Sequence, residues 1–305
     1  MSRSTPDGAN AADAVLGRSS AAELGDGPGA TLPRRSHRVS FPGGNGFTLA
    51  GIVDMPVAPL AGGPIVGTPI VVFSHCFTCN KDLKAIVRIG RGLAARGVTV
   101  LRFDMTGLGN SEGDFSRTNF TTNIADLKAA IAFAYKELGP VTGLLGHSFG
   151  GAASLAYSGE VGGVPSSIRG VAALAAPSET QHLSSLMLRR NPDIEKVGQG
   201  QVEIGGRSWT IRSEMLEDFR RHRLEDWIAR ISIPMLIVHS PTDETVGFDH
   251  ALRILQLASS RRTGHAAPPV SLVALDGADH LLAENPQDLS YVAGLLAAFF
   301  WRYRD

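Results

Sequence analysis

Residues 141–156 read V-T-G-L-L-G-H-S-F-G-G-A-A-S-L-A. An apolar run, 141–145, enters Gly146-His147-Ser148-Phe149-Gly150, and a run of small residues, 150–156, leaves it. The pattern is strand, tight turn, helix. A G-x-S-x-G turn places a serine where few side chains fit, and the flanking small residues let the backbone double back on itself. Such a turn needs a strand before it and a helix packed on it. It therefore demands an α/β architecture, with the Ser148 oxygen raised at the end of a sheet. Taken alone, the pentapeptide also reads as an ordinary Gly/Ser turn, so the rest of the chain decides.

The remainder supplies alternating elements. Residues 69–74, 98–103, 168–174, 234–239 and 270–275 are short apolar runs, the mark of strands buried on both faces. Helical periodicity appears at 82–95, 120–138, 248–257 and 286–303, with Gly97 closing the first of these and Pro286 opening the last. Strands alternating with helices predict a mostly parallel central sheet with helices on both faces. Residues 37–41 and 47–55 flank Pro42-Gly43-Gly44-Asn45-Gly46 and predict a hairpin that adds antiparallel strands at one edge. A Pro/Gly-rich loop, 56–68, follows it.

Two segments fall outside this rhythm. Residues 1–37 carry almost no large apolar side chains and are expected to form a disordered tail, leaving 38–305 as one domain. Neither a secretory signal nor a transit peptide fits, the latter because of Asp7, Asp13, Glu23 and Asp26. Between 178 and 232 the alternation breaks: a helix at 182–190, a hairpin at 202–211 around Gly205-Gly206, and a charged amphipathic helix at 215–230. That stretch is expected to be an inserted cap over the strand ends.

Composition excludes several classes. Lys and Arg total 29 against 29 Asp and Glu, so no basic surface invites nucleic acid. No apolar run is long enough to span a membrane. Two cysteines cannot staple a fold of 305 residues, and a cytoplasmic location is the default expectation.

A serine hydroxyl needs a base, and the base needs an orienting acid. In a parallel sheet both belong on loops after strand ends. After 234–239 comes Ser240-Pro241-Thr242-Asp243-Glu244-Thr245-Val246; after 270–275 comes Asp276-Gly277-Ala278-Asp279-His280. The expected catalytic set is Ser148, His280 as base and Asp243 as acid, with Glu244 the substitute acid. Asp276 and Asp279 lie too near His280 in sequence to come from a separate strand end. His147 is read as a packing or hydrogen-bonding residue, His239 as buried structure, and His250 and His265 as surface. The loop His75-Cys76-Phe77-Thr78-Cys79-Asn80-Lys81-Asp82 follows strand 69–74. The expected oxyanion donors are the backbone N–H groups of Phe77 and Phe149.

Turn, order Ser-Asp-His and a His-x-Phe loop after the third strand together resemble the α/β-hydrolase superfamily, over nearly all of the chain after the tail. More narrowly, H-C-F-T-C-N-K-D (75–82), R-F-D-M-T-G-L-G-N-S-E-G-D-F (102–115), H-S-P-T-D-E-T-V (239–246) and L-D-G-A-D-H (275–280) resemble a bacterial branch. In that branch the hydrolase is often fused to a C-terminal domain of the osmotically-inducible peroxidase (OsmC) type. Ending at Asp305, this sequence leaves no room for such a domain, and peroxidase activity is not expected of it. The resemblance implies an α/β-hydrolase fold with a small inserted cap. It also implies serine-hydrolase chemistry on a small-molecule acyl ester, with no metal and no cofactor. Thioesterase, amidase and acyltransferase are the same chemistry with another leaving group or acceptor.

Two motifs remain. Cys76 and Cys79 form C-x-x-C between a strand and a helix, as redox pairs do, so a redox-sensing or binding module is the alternative from another class. A disulfide there would stiffen or distort the oxyanion loop. Asp104-x-x-Gly107-x-Gly109-x-Ser111 has the look of a phosphate loop, but lacks the dinucleotide fingerprint and reads as a tight turn at the rim of the site. Leu183, Leu186, Met187, Trp209 and Met215 of the cap are expected to shape a pocket for a short or medium hydrophobic acyl chain. Phe299, Phe300 and Trp301 are read as core packing rather than an interface. The sequence does not fix the oligomeric state.

Overall fold

The computed structural model describes residues 32–57, 67–160, 163–260 and 267–305. Most of the expected tail, most of loop 56–68 and His265 lie outside them. Ten strands and nine α-helices alternate among the described residues. The core strands are β3 (Ile70–Ser74), β4 (Thr99–Phe103), β5 (Gly143–His147), β6 (Gly170–Leu174), β9 (Met235–His239) and β10 (Val270–Ala274). Every residue of the first five is buried. This is why they read as unbroken apolar runs rather than alternating ones.

The order across the sheet is β1-β2-β4-β3-β5-β6-β9-β10, with β1 (Arg34–Pro42) and β2 (Thr48–Pro56) the antiparallel hairpin at one edge. β4, β3, β5, β6, β9 and β10 run parallel. This is the α/β-hydrolase architecture expected from the sequence. β1 begins at Arg34, three residues before the expected start. The order turns back at β3, whose neighbours are β4 on one side and β5 on the other. The loops leaving β3 and β5 therefore open side by side at a switch point, where α/β sheets bind ligands.

Helices α1 (Lys84–Ala94) and α9 (Pro286–Arg302) cover one face; α2 (Phe120–Glu137), α3 (Phe149–Ser158) and α8 (Phe248–Ser259) belong to the other. Phe299 and Phe300 are buried on the α1/α9 side, and the Trp301 indole N–H donates to the Arg96 carbonyl at 2.8 Å. All three are core packing, as expected.

Between β6 and β9 the chain forms α4 (Gln181–Arg190), α5 (Ile194–Val197), a hairpin of β7 (Gln199–Ile204) and β8 (Arg207–Arg212), α6 (Ser213–Arg221) and α7 (Leu224–Ile228). The single helix expected at 215–230 is two, parted at His222-Arg223. The Thr180 hydroxyl donates to the carbonyls of Phe219 and His222, which ends α6 from outside. Asp218 fixes the segment to the sheet domain. Its carboxylate accepts the Phe120 and Thr121 amides at 2.8 and 3.1 Å and the Thr121 hydroxyl at 2.6 Å. Asn119 and Thr122 form a reciprocal capping box on the same turn, so the first amides of α2 are satisfied by two elements at once.

Burial alone would raise the Asp218 pKa; hydrogen bonds from His222 and Thr121 outweigh it and hold the carboxyl below its ordinary value. A lowered folded-state pKa means the stabilisation is complete above the unfolded value and is lost as pH falls through the folded one. Asp218→Ala is expected to lower stability by roughly 1–2 kcal/mol at neutral pH, in line with loss of a helix cap. In urea denaturation the gap to wild type should close in acid. A gap that does not change with pH would remove the carboxylate from the account.

Candidate active site

Ser148 occupies the corner between β5 and α3 with φ 53° and ψ −118°. That left-handed conformation is strained for a residue with a Cβ and persists only where the surroundings over-determine it. They do so through glycines. A Cβ on Gly146 would lie 2.2 Å from the Gly150 carbonyl oxygen, and one on Gly150 would lie 2.3 Å from the Ser74 oxygen. Both glycines of G-x-S-x-G are thus fixed by backbone approaching backbone.

The structure brings together the three residues that the sequence singles out. His280 Nε2 lies 3.0 Å from Ser148 Oγ, and His280 Nδ1 lies 2.7 Å from Asp243 Oδ2. The other carboxylate oxygen of Asp243 accepts the Thr245 and Val246 amides at 2.8 and 2.9 Å. Burial would push this carboxyl up; the bonds from His280 and the two amides hold it below the usual range, so it is ionised at neutral pH. Glu244 is exposed and makes no bond to His280, which leaves Asp243 as the acid in reach.

The remaining histidines sort by contact. His147 donates from Nε2 to the His280 carbonyl at 2.8 Å. Burial, reinforced by the neighbouring His280, pushes its pKa down to about 3, so it is a neutral brace against the His280 backbone. His239 is buried; its Nε2 donates to the Val246 carbonyl at 2.8 Å and shapes the turn that carries Asp243. His250 is half-buried rather than a surface residue, because Nδ1 accepts the Ser178 amide at 3.2 Å.

The Phe77 and Phe149 amides donate to no acceptor among the described residues. His75, fully buried behind this loop, accepts the Met105 amide at Nε2 (3.2 Å) and so carries its proton on Nδ1, which donates to the Cys76 carbonyl at 2.8 Å. With that carbonyl turned inward, the next amide, Phe77, is free to face the site. Cys76 and Cys79 are joined in a disulfide, and Thr78 between them has φ 60°. Phe77 therefore sits inside a small covalent ring.

Behind the ring lies a buried ionic cluster that sequence reasoning missed. Lys81 Nζ reaches Asp104 at 2.8 Å, Asn110 at 2.8 Å and Asp82 at 3.0 Å. Asp104 also accepts the Lys81 and Asn110 amides. Arg102, 1% exposed, pairs with Asp54 at 2.7 Å and donates to the Lys81 carbonyl at 2.7 Å. A Cβ on Gly109 would lie 2.2 Å from the Asp104 carboxylate. The D-x-x-G-x-G-x-S motif is thus a cradle for its own aspartate, and that carboxylate fills the place of any phosphate. The one available signal was this pairing of an Asp with close-packed glycines.

Above Ser148 and His280 opens a cavity of about 710 Å³, within the usual range for small-molecule sites. Leu183, Leu186 and Met187 of α4 and Ile204 and Trp209 of the hairpin line it. Met215, expected there, is instead buried in the core, on the inward face of α6. No group of metal-ligating side chains occurs among the described residues, and no helix among them is long and apolar enough to cross a membrane.

This fold and this corner define a hydrolase of the α/β type. A family model described as alpha/beta hydrolase fold matches residues 69–214. The esterase domain of a Rhodothermus marinus protein is 38% identical, with 89% of this chain and 100% of that one covered and a TM-score of 0.67. The chain belongs to the α/β-hydrolase family. Est1E from Butyrivibrio proteoclasticus, solved with ferulic acid bound, is similar in fold at 21% identity and TM-score 0.65, with 87% of this chain and 99% of that one covered. A hypothetical protein, PA2218, from Pseudomonas aeruginosa is similar in fold at 18% identity and TM-score 0.68, covering 90% and 95%. No curated protein matches the chain.

Proposed function

We propose that the protein is a serine carboxylesterase acting through Ser148, His280 and Asp243. The observation that carries this reading is the unbroken hydrogen-bonded line from Ser148 Oγ to Asp243 at the floor of an apolar cavity. His280 takes the Ser148 proton as the oxygen attacks the acyl carbonyl. Asp243 keeps the imidazole in the required tautomer and stabilises its charged form. The oxyanion accepts hydrogen bonds from the Phe77 and Phe149 amides. His280 then protonates the departing alcohol, and water activated by the same imidazole releases the acid from the acyl-enzyme. The apolar walls favour a hydrophobic acyl chain of short or medium length. The narrower likeness to the fused bacterial branch rests on the four sequence blocks alone.

Hydrolysis of p-nitrophenyl esters from acetate to palmitate tests this. Turnover should peak at one chain length, and a fluorophosphonate probe should label Ser148. A folded sample that ignores both the esters and the probe would overturn the reading.

The Cys76–Cys79 bridge favours a second, compatible reading, in which the redox state of the loop sets activity. A cytoplasmic location would keep these thiols reduced. Reductant should release two titratable thiols and lower kcat more than it raises KM, because the loosened Phe77 amide acts on the transition state. Unchanged kinetics after full reduction would make the bridge purely structural.

A further inference from the structure

The cavity over Ser148 has an apolar wall, but its mouth does not. Three cations line it, each from a different element: Lys84 opens α1, Arg190 closes α4 and Arg207 opens β8. Among the described residues none of the three has a carboxylate within ion-pair distance. Among the described residues the one carboxylate on the lining, Asp82, is held at 3.0 Å by Lys81 and at 3.3 Å by Arg102. In a chain whose formal charge is zero, this imbalance is a local arrangement and not a result of composition. Arg190 is fixed at the mouth by a hydrogen bond from its guanidinium to the Glu203 carbonyl, which leaves further N–H donors unused. Helix α1 also begins here, at Leu83 and Lys84, with no side chain capping its first amides, so its dipole adds to the same field.

Resting on the esterase reading above, we propose that the ester taken by this cavity carries a carboxylate at the end remote from the scissile bond, held by Lys84, Arg190 and Arg207. Water adds across the acyl–oxygen bond as before. When the carboxylate belongs to the acyl half, the products are a dicarboxylic acid and an alcohol. When it belongs to the alcohol half, they are a monocarboxylic acid and a hydroxy acid. Either way the rim fixes one end of the substrate while the apolar wall takes the chain between.

Two matched pairs separate these sources. p-Nitrophenyl hexanoate against mono-p-nitrophenyl adipate places the charge on the acyl side; phenyl hexanoate against 4-carboxyphenyl hexanoate places it on the alcohol side. In at least one pair the anionic ester is expected to show a kcat/KM about tenfold higher at low salt, through KM, and to lose that advantage as salt screens the rim. Lys84→Gln, Arg190→Gln and Arg207→Gln should each lower the anionic-to-neutral ratio by about threefold, and the triple variant should bring it to unity or below. Lys136→Gln, an exposed cation of α2 outside the cavity, should leave the ratio as it is. Preference for the neutral ester in both pairs, or a ratio that survives the triple variant, would overturn the proposal. If the wild type cleaves none of the four esters, the esterase reading fails, and calorimetry then tests the rim directly. Adipate binding that the triple variant abolishes supports an anion site; no adipate binding by the wild type removes it.

Discussion

Ser148→Ala is expected to abolish ester turnover, by about 10⁴- to 10⁶-fold in kcat, while leaving a folded protein. The two halves of this expectation have separate causes. In the proposed mechanism Ser148 Oγ supplies the bond-forming oxygen, and among the described residues no other hydroxyl lies within hydrogen-bond distance of His280 Nε2. On the same reading, any residual rate would come from the cavity and the Phe77 and Phe149 amides, which would still hold substrate and its oxyanion. The fold survives because the left-handed backbone at 148 is set by Gly146, Gly150 and the Ser148 amide, which donates to the Leu174 carbonyl at 2.8 Å. Alanine keeps the Cβ and hence the same strain. Losing one hydrogen bond to His280 changes stability by about 1 kcal/mol. Parallel kinetics, circular dichroism and thermal melts check both halves. Retained turnover would sink the serine mechanism; loss of the folded signal would mean that the elbow needs the hydroxyl for structure.

Lys81→Met should have the largest effect on stability, about 3–5 kcal/mol. It leaves the fully buried Asp104 carboxylate facing only the Lys81 and Asn110 amides. A domain of this kind has a total stability of roughly 5–15 kcal/mol, so about a fifth or more is at stake. The loss should show in activity too, because the Lys81 backbone is the far anchor of the Phe77 loop. A second substitution separates charge imbalance from lost packing. Asp104→Asn in the Lys81→Met background should recover part of the stability, since the uncompensated charge is then gone. Urea denaturation of the single and double variants reads this directly. A double variant no more stable than Lys81→Met would remove the ionic explanation.

The parts of the site that were legible in the sequence are those with a one-dimensional signature. Buried strands give unbroken apolar runs, the elbow gives flanking glycines, and the loops after β9 and β10 each carry a polar residue just past an apolar run. His280 and Asp243 could be chosen because a parallel sheet permits few other places. The ionic cluster was not legible. Asp54, Lys81, Arg102 and Asp104 are spread over fifty residues in runs that read as loops or strand ends, and burial of a charge leaves no period. The break in the 215–230 helix is equally hidden, since Thr180, far away in sequence, takes the carbonyls that would have continued it. The mouth cations look like ordinary surface charges until the fold places them on the same cavity as Ser148.

The hold of Asp218 on the first turn of α2 bears on how such a protein can change. The proposed nucleophile, base, acid and both proposed donors follow β3, β5, β9 and β10, whereas much of the cavity wall comes from the stretch between β6 and β9. On the proposed reading, chemistry and selectivity are therefore separate modules in one chain. A different segment grafted between β6 and β9 is expected to dock only when it brings an acidic side chain to the place where Phe120 and Thr121 offer their amides. A graft without that acid would leave those two amides with no carboxylate to hold it in place.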